Sequence, residues 1–212
     1  MKSIRRAPQG TAPPTFLVVF CHGYGGDASQ LAPLAEAMPY AAFLPDAPVA
    51  CPFSLRDLRG PSRGRQWFAL ERPLPAHSPE AEEAAAGLNR EVDAELARLS
   101  LPEDAVWFVG FSQGAMVSLL AGLARAVAPR GIVGIAGALL APPGVFKPVC
   151  RPPVLLVHGA QDSVVPAERS QDAARRLKDA GIDVRLVLLP GLDHVIVEEA
   201  APHICTFIAE RV

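Results

Sequence analysis

Ala105 Val106 Trp107 Phe108 Val109 runs into Gly110 Phe111 Ser112 Gln113 Gly114 and out into Ala115 to Val127, and this junction decides how the chain is read. The first segment is β-branched and aromatic, while in the last Met116, Leu119, Leu120, Leu123 and Val127 recur at three- and four-residue steps. A strand therefore enters the turn and a helix leaves it. A Gly-x-Ser-x-Gly at such a junction forces its serine into a strained backbone conformation, and the flanking glycines lack the Cβ atoms that would collide where strand and helix pass closely. The Ser112 hydroxyl is then raised at the carboxyl edge of a sheet. The N–H of Gln113 points at the same spot from a helix start, where unpaired amides and the positive dipole end favour a developing oxyanion. Ser112 is the candidate nucleophile and Gln113 a candidate oxyanion donor. The five-residue pattern alone is weak, because an ordinary strand-to-helix turn can carry it, so its value rests on the rest of the chain.

Outward from this junction, strand and helix patterns alternate. Phe16 to Cys21 is a continuous apolar run suited to a strand buried on both faces, and it ends at His22 Gly23 Tyr24 Gly25 Gly26. Asp27 is expected to cap a helix with Gln30 completing a box-like start, and Leu31, Leu34, Ala35 and Met38 form its apolar stripe. Tyr40 to Leu44 reads as a short strand, followed by an irregular stretch over 45 to 77 that is long enough to carry function. Ser78 and Pro79 open a long helix with Glu80, Glu82 and Glu83 in its first turn and Leu88, Val92, Leu96 and Leu99 inward; Pro102 stops it. Beyond the junction, strands are expected at Gly131 to Ala138, Val154 to Val157 and Val184 to Leu189. One helix lies between Pro166 and Gly181, and a last one runs over about Ile196 to Arg211. This alternation predicts a mostly parallel sheet with helices on both faces, whose right-handed crossovers gather the strand ends on one edge. Ligands in such folds bind outside the carboxyl ends of the strands.

The chain of 212 residues, half of them apolar and 20% charged, is expected to fold as one domain spanning 1–212. A formal charge of −2 offers no basic surface for nucleic acid. After the charged start through Arg5 and Arg6 comes a proline-rich stretch rather than an apolar one, so neither a secretory segment nor membrane insertion is expected and the location reads as cytoplasmic. Cys21, Cys51, Cys150 and Cys205 lack the close spacing of a zinc site or a redox pair and read as reduced structural thiols. The 22 prolines cluster in segments that mark loops.

A serine hydroxyl at neutral pH needs a base, and the base needs an orienting acid. Of five histidines, His22 and His158 each end a strand before a glycine, His77 lies in a proline-rich loop and His203 in a predicted helix. His194 follows the last strand through Pro190 Gly191 Leu192 Asp193, where a loop can carry it over Ser112; it is the candidate base. Asp162, just past the strand at Val154 to Val157, is the candidate acid. Asp193 competes by adjacency, but neighbouring side chains in an extended loop diverge. The turn His22 to Gly26 lacks the lysine and hydroxyl of a phosphate loop, and the N–H of Tyr24 in it is a candidate second oxyanion donor.

The blocks Phe20 to Gly26, Gly64 to Leu70, Gly110 to Ala115, Gly159 to Pro166 and Gly191 to Ile196 together resemble the phospholipase/carboxylesterase family of small α/β-hydrolases, in the family's order and across nearly the whole chain. That family includes acyl-protein thioesterases and bacterial carboxylesterases, and its bacterial carboxylesterase branch is the most similar. The resemblance implies an α/β-hydrolase fold with no separate cap domain. It also implies a triad of Ser112, Asp162 and His194, oxyanion amides at Tyr24 and Gln113, and substrate-binding Trp67 and Phe68 as a wall of the acyl pocket, for which core packing is the equal alternative. The implied reaction is hydrolysis of small or medium-chain carboxylic esters through a Ser112 acyl-enzyme, with no cofactor or metal. Acyl-protein thioesterase or lysophospholipase activity is the alternative within the family, and a non-catalytic binding protein is the alternative outside it. The expected partner is a small ester or acyl substrate; a homodimer is left open. Two positions depart from the family's habit: Asp193 stands where a small residue often precedes the histidine, and Ala136 where a serine is common.

Overall fold

Side-chain alternation along the central strands divides the molecule into layers. In the computed structural model, which describes residues 2–51, 64–71, 73–142, 146–194 and 199–212, β2 (Leu17–Cys21) sends Leu17, Val19 and Cys21 into one core and Val18 and Phe20 into the other. β6 (Val106–Phe111) divides in the same way, with Val106 and Phe108 on one side and Trp107, Val109 and Phe111 on the other. Successive residues of a strand face opposite sides of a sheet, so a strand covered on both sides is apolar throughout.

The strands β1 (Ser3–Arg6), β2, β3 (Ala41–Pro45), β6, β7 (Gly131–Ile135), β8 (Val154–Gly159) and β9 (Val184–Leu189) form a seven-stranded sheet in the order β1-β3-β2-β6-β7-β8-β9. All its pairings are parallel except β1 with β3. One core is closed by α2 (Pro79–Leu99), α3 (Gln113–Leu123) and α4 (Glu168–Asp179), the other by α1 (Ala32–Glu36) and α5 (Ala201–Ala209). Every residue of α3 is buried, because the sheet covers one side of it and α2 packs on another. A separate antiparallel pair, β4 (Val49–Ala50) with β5 (Arg65–Gln66), lies in the stretch read as irregular. Residues 52–63 and 72 of that stretch fall outside the described residues, as do 143–145 and 195–198, which include the expected start of the last helix at about Ile196; its described part begins at Ala201.

α2 starts and stops as its sequence dictates: Ser78 Oγ accepts the N–H of Ala81, Pro79 occupies the first turn, and Ser100 ends the helix at φ 55°. Two expectations change. Asp27 heads a turn rather than a helix, accepting from the N–H of Ser29, and α1 begins only at Ala32; the stripe Leu31, Leu34, Ala35 and Met38 is nonetheless buried. The charged N-terminal segment forms the antiparallel edge strand β1. Arg5 ties this strand to the helix layer, its Nε donating to the buried Glu95 of α2 at 2.9 Å while its guanidinium lies over the Phe43 ring. Burial alone would raise the Glu95 carboxyl, but hydrogen bonds from Arg98 and Arg5 bring it below the ordinary range.

The approach of α3 to the sheet is set by backbone. A Cβ on Gly114 would lie 2.1 Å from the carbonyl oxygen of Cys21, and one on Gly110 would lie 2.3 Å from that of Gly114. Neither obstacle can rotate away. Gly114→Ala is expected to destabilise the fold by about 3 kcal/mol or more, the upper end of the cost of overpacking, as read by chemical denaturation.

Candidate active site

Ser112 stands between β6 and α3 at φ 52°, ψ −117°, a conformation that non-glycine residues rarely adopt. Its N–H donates to the carbonyl of Ile135 on β7, and its own carbonyl accepts from Ala115 and Met116, so the strain is held from both sides. Gln113 opens α3, which leaves its N–H without an intrahelical partner beside the serine.

The predicted base and acid meet here. His194, on the loop after β9, has Nε2 3.0 Å from Ser112 Oγ and Nδ1 2.7 Å from Asp162 Oδ2. Since a carboxylate only accepts, Nδ1 carries the proton and Nε2 is left to accept from the serine hydroxyl. The imidazole also packs on Phe111 at 5.0 Å between ring centroids. Asp162 follows β8, with its side chain fully buried, and its Oδ1 accepts from the N–H groups of Val164 (2.9 Å) and Val165 (2.8 Å). The carboxylate is thus fixed from the side opposite the histidine.

Asp193 does not compete for the imidazole. Its Oδ1 accepts from Ser163 N at 2.7 Å, Ser163 Oγ at 2.8 Å and the backbone N–H of His194 at 2.7 Å. These bonds, the one from Ser163 N–H first, hold its carboxyl below the usual range. This residue clamps the loop bearing His194 to the loop bearing Asp162, a role its place next to His194 did not reveal.

The turn at His22 to Gly26 lies directly over the elbow, since a Cβ on Gly23 would reach to 3.4 Å from Ser112 Cβ. Tyr24 belongs to this turn, which is held on every side. Gly23 N–H donates to Gln30 Oε1 at 2.7 Å, Gly25 N–H to the carbonyl of Arg65 at 2.9 Å, and Arg65 N–H to the carbonyl of Gly26 at 2.7 Å. Gln30 therefore secures the turn instead of boxing a helix. His22 is buried and structural: Nδ1–H donates to the carbonyl of Gly23, and Nε2 accepts from Ala47 N–H. Trp67 and Phe68 are both buried in the core beside α2. Trp67 Nε1 donates to the carbonyl of His22 at 2.9 Å. The Gln113 side chain accepts from Trp67 N–H and donates to the carbonyl of Phe68, each at 2.8 Å. The amide at the elbow thus also anchors the 67–68 backbone, which the sequence did not disclose. His77 lies away from the site against Glu82, and His203 lies on α5.

Burial holds the His22 pKa below its ordinary 6.5. An unfolded chain takes up a proton there as pH falls through about 6.5, whereas the folded ring resists because Nε2 is already accepting. Stability is accordingly expected to fall as pH drops below about 6.5, and His22→Gln is expected to flatten that part of the profile in denaturation measured between pH 5 and 8.

The sequence model of the phospholipase/carboxylesterase family matches residues 5–211. Among solved structures, esterase PE8 superposes with a TM-score of 0.87 at 30% identity, covering 99% of this chain and 98% of that one. Acyl-protein thioesterase 1 of Gibberella zeae is 36% identical over 109 residues, which are 48% of this chain and 46% of that protein. Carboxylesterase SOBER1 of Arabidopsis thaliana is 30% identical over 161 residues, 69% of this chain and 68% of that one. The chain spans about half the length of the first thioesterase relatives it matches, 46% and 43%.

Proposed function

This chain belongs to the phospholipase/carboxylesterase family, and we propose that it is a serine hydrolase of carboxylic esters, with Ser112, His194 and Asp162 as its triad. The observation that carries this reading is the unbroken run of contacts from Ser112 Oγ to His194 Nε2 and from His194 Nδ1 to Asp162 Oδ2, at 3.0 and 2.7 Å.

The steps follow from the protonation pattern. As Ser112 Oγ attacks the ester carbonyl, its proton passes to His194 Nε2, and Asp162 stabilises the imidazolium without taking the proton. The oxyanion that forms lies between the N–H of Gln113 and the N–H of Tyr24. Collapse of the tetrahedral species expels the alcohol, which takes the proton from Nε2 and leaves an acyl group on Ser112. Water then adds to the acyl carbonyl as one of its protons passes to Nε2, and the second tetrahedral species collapses, releasing the acid while Ser112 Oγ takes that proton back from Nε2. All these steps are proton transfers and additions that the residues present can perform. Trp67 and Phe68, packed beside Gln113, form the buried flank of the acyl side, and residues 1–212 act as one domain. A small ester or acyl molecule is the substrate. No described helix is long and apolar enough to cross a membrane.

A thioesterase reading has one observation in its favour, the names of the first curated relatives. The same residues would serve it, because the leaving group takes its proton from the same nitrogen. Hydrolysis of p-nitrophenyl esters from two to sixteen carbons tests the proposal. The wild type is expected to turn over the shorter or medium chains, and Ser112→Ala to lose about 10⁶-fold in kcat, as when a triad serine is removed. An optimum at the longest chains favours the thioesterase reading. A variant that keeps its rate overturns the mechanism.

A further inference from the structure

The acid of the triad is approached by a second histidine that the proposed mechanism does not use. His158 ends β8, is only 1% exposed, and has Nε2 3.1 Å from Asp162 Oδ2, the same oxygen that receives His194 Nδ1–H. Nε2 also donates to the carbonyl of Val165 at 2.8 Å. Both neighbours of this nitrogen are acceptors, so it carries a proton. On the other side, Nδ1 lies 2.6 Å from Ser170 Oγ on α4, whose hydroxyl can donate to it. Ser170 is itself buried and lies 3.3 Å from the carbonyl of Gly137, just beyond β7.

These contacts close a ring. Val165 N–H grips Asp162 Oδ1, the carbonyl of Val165 is gripped by His158, and the His158 N–H dipole lies against Asp162 Oδ2. We propose that His158 is a positioning residue for the reaction: resting on the esterase reading, it fixes the acid turn 162–165 and moderates the charge that Asp162 presents to His194. Ser170, whose single hydroxyl proton goes to Nδ1 at 2.6 Å in preference to the Gly137 carbonyl at 3.3 Å, sets its tautomer. Among the described residues, the titratable groups around it are Asp162 and His194, Asp193 on the loop after β9, and Glu199, which lines the same small cavity as His158 between β8, β9 and Ala200.

This role predicts a titration effect as well as a rate effect. With the N–H dipole removed, Asp162 faces His194 with less of its charge answered, so the imidazolium is stabilised and the base loses its proton at higher pH. In His158→Leu the acid limb of kcat/KM is expected to move up by about 0.5–1 pH unit. The plateau kcat is expected to fall roughly tenfold, the scale on which outer partners orient ligating side chains, with KM little changed. His158→Gln has an amide N–H that can face Asp162 as well as the carbonyl of Val165, and it is expected to restore the limb to its wild-type position. Ser170→Ala, which leaves the histidine in place, is expected to move the limb upward by a smaller amount, and it keeps the test open if His158→Leu does not fold.

Limbs that coincide with wild type in both Ser170→Ala and His158→Leu would overturn the role. So would a His158→Gln whose limb and rate are both as displaced as those of His158→Leu, since a side chain that only fills space is the behaviour of core packing alone. Wild type and Ser112→Ala are run in the same assay. If Ser112→Ala is as active as wild type, the esterase reading fails and this inference falls with it; if only the His158 and Ser170 limbs are unmoved, the esterase reading stands.

Discussion

The backbone contact of α3 with the ends of β2 and β6 is the constraint on which the rest depends. Gly114 lies so close to the Cys21 carbonyl, and Gly110 to Gly114, that no side chain fits at either place. This contact fixes Ser112 at φ 52° between strand and helix, raising its hydroxyl above the sheet edge. It also carries Gln113 to the point where its N–H faces the serine and its side chain holds the backbone of Trp67 and Phe68. A backbone conformation that costs of order 1–3 kcal/mol persists only where its surroundings over-determine it. Here the bond from Ser112 N–H to Ile135 and the wholly buried helix behind it do so.

Around that fixed point, the mobile chemistry is delivered by loops tied to one another. The acid turn is closed by Asp162 on Val164 and Val165, and the base loop is clamped to it through Asp193 and Ser163. The turn at 22–26 is held by Gln30, Arg65 and Trp67. Each bond involves a backbone group, so the geometry of the site is stored mainly in the chain path. That is the preorganisation which electrostatic stabilisation of an oxyanion requires, because the donors need not reorient as charge develops.

Much of this was legible in the sequence, for physical reasons. A strand covered on both faces must be apolar throughout, which exposed β2 and β6, and the start of α2 is local chemistry that Ser78 and Pro79 carry in themselves, whereas its end at Ser100, ahead of Pro102, is seen only in the structure. Asp162 and His194 stand out in the sequence because each follows a strand at the edge where ligands bind, and the fold brings both side chains together with Ser112. β1 is not legible locally because its partners lie far along the chain: it pairs with β3, and Arg5 reaches Glu95, 90 residues away. Gln30 was misread for the same reason: three residues after an aspartate it looks like part of a cap, but its partner is the N–H of Gly23. Asp193 looked like a rival acid, and only the path of the loops reveals it as a clamp. His158 was set aside as an ordinary strand-end histidine; its closeness to Asp162 depends on the turn that Asp162 itself closes.

The central claim is that Ser112 is nucleophilic only because the folded chain places His194 and the elbow around it. The most direct measurement is intact-mass and peptide mapping after treatment with a serine-directed fluorophosphonate, on native wild type, His194→Ala and urea-unfolded protein. The account predicts one adduct per chain on Ser112 in the native wild type, with labelling slowed by orders of magnitude in His194→Ala and absent when the chain is unfolded. Native protein that stays unlabelled, or labelling at Ser112 that proceeds equally without His194, would contradict it.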